Sequence, residues 1–115
     1  MELAFALGNL GALATAGLGA MGLVRPRAAA AFTSMEPVGL VGVSEIRATY
    51  GGFFLLLGGY ALASQEPAAF TAAGLAWLGA AGGRLVSVLV DRSTSAKNLG
   101  GIAFEAAIGL LLLAR

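Results

Sequence analysis

"SEIRATYGGFFLLLGGYALAS", residues 44–64, decides the fold. It opens with Glu45, Arg47 and Tyr50, then runs to Ser64 without another charged side chain. A helix needs about 20 apolar residues, at 1.5 Å rise each, to cross the hydrocarbon of a bilayer. Lipid offers the backbone no hydrogen-bond partners, so a segment of this kind must satisfy its own amides as a helix. The stretch therefore predicts a membrane span over about residues 45–64, with a small polar group at its mouth.

Three further apolar windows follow the same rule. They cover about residues 3–24, 68–90 and 98–114, and are bounded by "RPR", "QEP" and "DR". The first carries Glu2 and no Lys or Arg ahead of a run long for a leader's core, so it is read as a mature helix. Pro26 lacks an N–H and restricts the residue before it, which ends that helix at Arg25. Residues 28–43 are too short to span and contain Pro37; they are expected as an interfacial helix or a re-entrant loop. The architecture predicted is all-α, an antiparallel four-helix transmembrane bundle in a single domain over residues 1–115.

Composition agrees. Hydrophobic residues make up 58% of the chain and charged residues 11%, against about 25% charged in a soluble domain. Mean hydropathy is +0.87. A formal net charge of +1 without a basic stripe argues against a nucleic-acid partner. With neither Cys nor His, disulfides, zinc fingers, thiolate nucleophiles and histidine acid–base chemistry are excluded. No phosphate loop, nucleophile elbow or carboxylate cluster with metal spacing is present, so no catalytic residue, metal or cofactor is expected, and an enzyme is the least expected reading.

Lys and Arg in short loops set topology. The first and third loops carry Arg25, Arg27, Arg92 and Lys97, whereas the opposite side carries Arg115 with Glu2 and Glu66. Those two loops are therefore assigned to the cytoplasm and both termini to the outer side of the membrane. The glycines follow the spans. Gly8, Gly11, Thr15, Gly19 and Gly22 step by three and four along the first helix, a stripe suited to close backbone packing in lipid.

The charges inside the spans are the informative ones. Arg84 lies seven residues before Asp91, and Glu105 seven after Asn98, which places both about 10 Å below the same membrane face. A charge at mid-bilayer costs about 2.5–3.5 kcal/mol on insertion scales, so the two are expected to face inward and pair. Ser87 and Asp91 share the Arg84 face, with Trp77 one heptad away. Arg47 and Tyr50 share a face of the second helix. Ser44 is read as the N-cap of that helix, and Glu45 in its first turn is favoured by the helix dipole. Arg47 has no such reason to be there. The binding set expected is Arg84, Glu105, Arg47, Tyr50, Glu45 and Ser87. Against it stand plainer roles: a register-fixing ion pair for Arg84 and Glu105, a snorkelling cation for Arg47, and aromatic-belt side chains for Tyr50, Tyr60 and Trp77.

These residues also carry a resemblance. E-I-R-A-T-Y-G-G from Glu45, G-R-L-V-S from Gly83 and the acidic Glu105 resemble the motifs of a family of small bacterial four-span inner-membrane proteins, known as a domain of unknown function. The family pattern falls on Glu45, Arg47, Tyr50, Gly51, Gly83, Arg84 and Glu105. The resemblance implies a multi-pass protein of the bacterial inner membrane and supplies no reaction. Three functions are consistent with the residues: a non-enzymatic membrane protein with an Arg/Glu/Tyr pocket for a small amphiphile or lipid headgroup, a proton-coupled transporter using Glu105, and an accessory subunit of a larger membrane complex. The partners expected are the lipid bilayer, a small amphiphilic ligand, and a second copy or a larger complex.

Overall fold

A computed structural model describes residues 2–115. The chain is all-α: α1 Glu2–Val24, α2 Pro26–Phe32, α3 Gly39–Ile46, a π-helical segment Arg47–Phe53, α4 Phe54–Ser64, α5 Pro67–Asp91 and α6 Ala96–Leu113. Among the described residues there is no strand. Four helices are long and apolar enough to cross a membrane: Glu2–Val24, Gly39–Ser64, Pro67–Asp91 and Ala96–Leu113. The protein is thus a multi-pass membrane protein by the length and composition of its helices. Contacts divide it into two compact units, Ala12–Gln65 and the chain up to Gly11 with Glu66–Arg115.

In the Ala12–Gln65 unit, α1 ends where the prolyl residue demands it. Arg25 leaves the helix at φ −127, and Pro26 sits at the first position of α2, where its missing N–H is no loss. α2 closes in a Schellman turn. Ser34, at φ 60, is left-handed; Met35 N donates to Ala30 O at 2.7 Å and Ser34 N to Ala31 O at 3.1 Å. Ala29 and Ala30 pack with Ile46 into a small core joined by Met21 and Tyr50.

The second long helix corrects two expectations. It begins at Gly39, with Val38 in the N-cap place, so Ser44 is not the cap and Glu45 lies in the interior of α3 rather than in a first turn. Between Pro37 and Gly51 there is no further proline, and the apolar run Gly39–Val43 extends the span toward Pro37. The segment 28–43 is correspondingly neither one helix nor one loop. Its first part completes α2, residues 33–38 are non-helical, and the rest belongs to the long helix.

The π-helical segment sets the phase of that helix. Ile46 and Gly58 are both buried, yet twelve residues of α-helix at 100° each would leave them about 120° apart. A π turn closes i→i+5 rings and absorbs one extra residue, which brings them to within about 20° of a common face. α1 and α4 then run antiparallel in close contact. A Cβ on Gly22 would meet the Tyr50 carbonyl, and one on Gly58 would lie 2.6 Å from Ala12 O. Thr15, in the same glycine stripe, is fully buried.

In the other unit, Pro67 opens α5 and Ser95 caps α6, its Oγ accepting from Asn98 N at 3.2 Å. α5 and α6 pack antiparallel. A Cβ on Gly74 would come within 3.0 Å of Gly109 O, while a Cβ on Gly101, toward the opposite ends of the two helices, would touch Arg84. The core here holds Phe70 and Leu112, both fully buried. Arg115 lies over the rings of Phe5 and Phe70, 5.2 Å from each centroid.

Candidate functional site

Each unit holds one polar constellation. The first is built on α5 and α6. The Arg84 Nε donates to Glu105 Oε1 at 2.7 Å, so the ion pair expected from matched helix depth forms. Arg84 Nη1 donates to Asn98 Oδ1 at 3.2 Å, and Asn98 Nδ2 in turn donates to Ser93 O at 2.8 Å. Asn98 therefore couples the guanidinium to the backbone that links the two helices. Gly101 makes the space: a Cβ there would stand 2.9 Å from both Cζ and Nε of Arg84. Across the same helix pair, the Trp77 and Phe104 rings meet edge to face at 6.3 Å and 83°.

The Arg84–Glu105 pair is engaged through one atom on each side. Arg84 Nη2 and Glu105 Oε2 have no hydrogen-bond partner among the described residues. Neither is sealed in, since among the described residues no fully buried side-chain polar atom lacks a partner. The arginine side chain is 31% exposed and the glutamate 12%. The arrangement offers a donor and an acceptor of near-neutral total charge on helices whose neighbouring side chains, Leu85 and Phe104, are exposed and apolar. Ser87 is half-buried on α5, and its carbonyl closes the helix by accepting from Arg92 N and Ser93 N.

The second constellation answers the question Arg47 posed. The Arg47 Nη1 donates a hydrogen bond to Leu23 O. The last carbonyls of a helix lack partners, and a break at proline removes the donor that continuation would bring. Arg47 supplies a donor and a positive charge at the negative end of α1. It is not in the first turn of its own helix, so the dipole objection to it lapses. Tyr50 is half-buried one turn further on, its ring edge-on to Phe54 at 5.7 Å and 61°. Glu45 is exposed.

Of the six residues expected to bind, the structure joins Arg84 directly to Glu105 and leaves Ser87 on the same helix as Arg84. Arg47, Tyr50 and Glu45 belong to the Ala12–Gln65 unit. Asn98 was missed as a partner of Arg84, although its spacing to Gly101 and Glu105, three and seven residues, places it on their helix stripe. Among the described residues no group of three His, Cys, Asp or Glu could hold a metal ion.

The chain matches the family described as "Domain of unknown function (DUF4345)" over residues 4–114, and it belongs to that family. No curated protein and no solved structure matches it.

Proposed function

We propose that this member of the family is a non-enzymatic protein of the bacterial inner membrane that holds a small amphiphile or lipid headgroup at Arg84, Glu105 and Asn98. The observation that carries the reading is the half-used ion pair: one guanidinium nitrogen and one carboxylate oxygen open to approach, inside a helix pair whose exterior is apolar. A pair serving only to fix helix register gains most by using both oxygens and both nitrogens. Intramembrane ionisable groups are otherwise too unfavourable to keep without a use. The distribution of Arg25, Arg27, Arg92 and Lys97 supports cytoplasmic first and third loops and periplasmic termini.

The test is extraction of the protein from native membrane into mild detergent, followed by native mass spectrometry. The wild type is expected to retain a discrete adduct in the mass range of a lipid or smaller amphiphile. The double variant Arg84→Met with Glu105→Leu, which leaves no unpaired charge, is expected to lose it. Identical adduct patterns in a folded double variant would refute the reading. Proton uptake into vesicles that depends on Glu105 and needs no amphiphile would favour transport instead.

A further inference from the structure

We infer that the amphiphile class taken by the Arg84–Glu105–Asn98 site is a neutral one bearing a hydroxyl headgroup, such as a monoacylglycerol or a long-chain alcohol, rather than an anionic phosphate or a cationic amine; this rests on the binding reading above. The argument is one of charge and valence. Arg84 is already neutralised by Glu105 at 2.7 Å, and Asn98 adds no charge. An incoming phosphate would bring its negative charges beside the Glu105 carboxylate, and an ammonium would meet the Arg84 guanidinium. In a medium of low dielectric, a like charge at contact distance is strongly disfavoured.

A hydroxyl suits what remains. It carries one proton to donate and lone pairs to accept. Glu105 Oε2 accepts and has no proton to give while ionised; Arg84 Nη2 donates and cannot accept. These are the two atoms of the pair that lack a partner among the described residues. A hydroxyl therefore fills both needs without adding charge. The other charged residues near this end of the helix pair, Asp91, Arg92 and Lys97, stand exposed, where water and salt screen them. They do not change the sign of the site.

The apolar part of the ligand has a surface to follow. Leu85, next to Arg84, and Phe104, next to Glu105, are 50% and 41% exposed, and Val86 and Leu89 continue the apolar surface of α5. A single chain lying along these side chains would be in the environment of a membrane lipid, with its headgroup turned inward to the ion pair. The sole tryptophan of the sequence, Trp77, is on the same helix seven residues from Arg84, about 10 Å along the axis. It is a built-in reporter.

The experiment uses the full chain in nanodiscs of zwitterionic phosphatidylcholine and reads quenching of Trp77. Three single-chain probes of equal length, each brominated near the headgroup, are titrated: a monoacylglycerol, an alkyl phosphate and an alkyl trimethylammonium. Partitioning of each into protein-free discs is measured separately and used to express concentration in the bilayer. The monoacylglycerol is expected to quench saturably, with an affinity about tenfold or more above the other two, the ratio expected from one charged hydrogen bond. Glu105→Gln, which leaves Arg84 uncompensated, is expected to reverse the order in favour of the phosphate. Saturable quenching by the alkyl phosphate equal to or stronger than that by the monoacylglycerol in the wild type would overturn the charge-class inference and leave the binding reading standing. Absence of saturable quenching by all three would overturn both. If Glu105→Gln does not fold, the wild-type ranking decides alone.

Discussion

Removing the carboxylate of Glu105 while leaving Arg84 in place tests how much the fold depends on their pairing. In Glu105→Ala, the guanidinium keeps Asn98 at 3.2 Å but loses its charged partner at 2.7 Å. Hydrogen bonds to charged groups contribute about 1.5–3 kcal/mol, and breaking a fully buried ion pair costs about 3–5 kcal/mol. Arg84 keeps its hydrogen bond to Asn98 Oδ1, so part of the loss is recovered and the estimate falls to about 2–3 kcal/mol. Replacing both groups, Arg84→Met with Glu105→Leu, removes the unpaired charge together with the pair. That variant should lie within about 1 kcal/mol of the wild type, because an apolar pair of similar volume often matches an ionic one. The assay is reversible unfolding by sodium dodecyl sulfate in bicelles, followed through Trp77. A Glu105→Ala loss below about 0.5 kcal/mol, or a double variant as unstable as Glu105→Ala, would refute the reasoning.

Three other expectations follow from the Ala12–Gln65 unit. Gly22→Ala places a methyl against the Tyr50 carbonyl and should destabilise by about 2 kcal/mol or more in the same unfolding assay, since backbone gives way less easily than side chain. Arg47→Met removes the donor to Leu23 O; a loss of about 1–2 kcal/mol is expected, discounted for the exposure of Arg47, with faster amide exchange confined to the end of α1 and the start of α2 as its local signature. Ser34→Gly relieves a left-handed φ of 60 and should stabilise by up to about 1 kcal/mol in thermal unfolding.

Much of this fold was legible because lipid imposes few options. An apolar run near twenty residues long in a chain with 11% charged residues has to be a helix, and Pro26 had to end α1. The Arg84–Glu105 pair was legible for a related reason: two opposite charges at equal depth on consecutive antiparallel helices have few other places to go. The start of the second long helix was not. Ser44 and Glu45 form a sound capping pattern, but no proline lies between Pro37 and Ser44, and continuing the helix satisfies more backbone than starting afresh at Glu45. The π segment was equally hidden. Its residues, RATYGGF, are compatible with an ordinary α-helix, and the extra residue per ring is imposed from outside, by Ala29 and Ala30 on Ile46 and by Gly22 on the Tyr50 carbonyl.

Arg47 and Arg84 illustrate the boundary between what a linear chain reveals and what it conceals. Both are arginines near the end of an apolar helix, and their neighbours in sequence, Ile46 and Ala48 for one, Gly83 and Leu85 for the other, do not distinguish their roles. The distinction lies in what each must satisfy. Arg84 faces a formal charge of opposite sign, a partner that a reader can find by matching depth. Arg47 faces Leu23 O, a group that every residue possesses and that matters only because the break at Arg25 and Pro26 ends α1 before Arg27 N, four residues on, can donate to it. The vacancy is created by the turn between α1 and α2 and filled by a side chain two helices away, so it is invisible until the chain is folded. The test separates the two roles without ambiguity. Arg47→Lys keeps the charge and a donor, and should retain most of the stability lost in Arg47→Met. Arg84→Lys cannot reproduce a guanidinium that donates to Glu105 and Asn98 at once, and should recover little of the loss seen in Arg84→Met. Equal rescue at both positions would show that a positive charge alone is what each site requires.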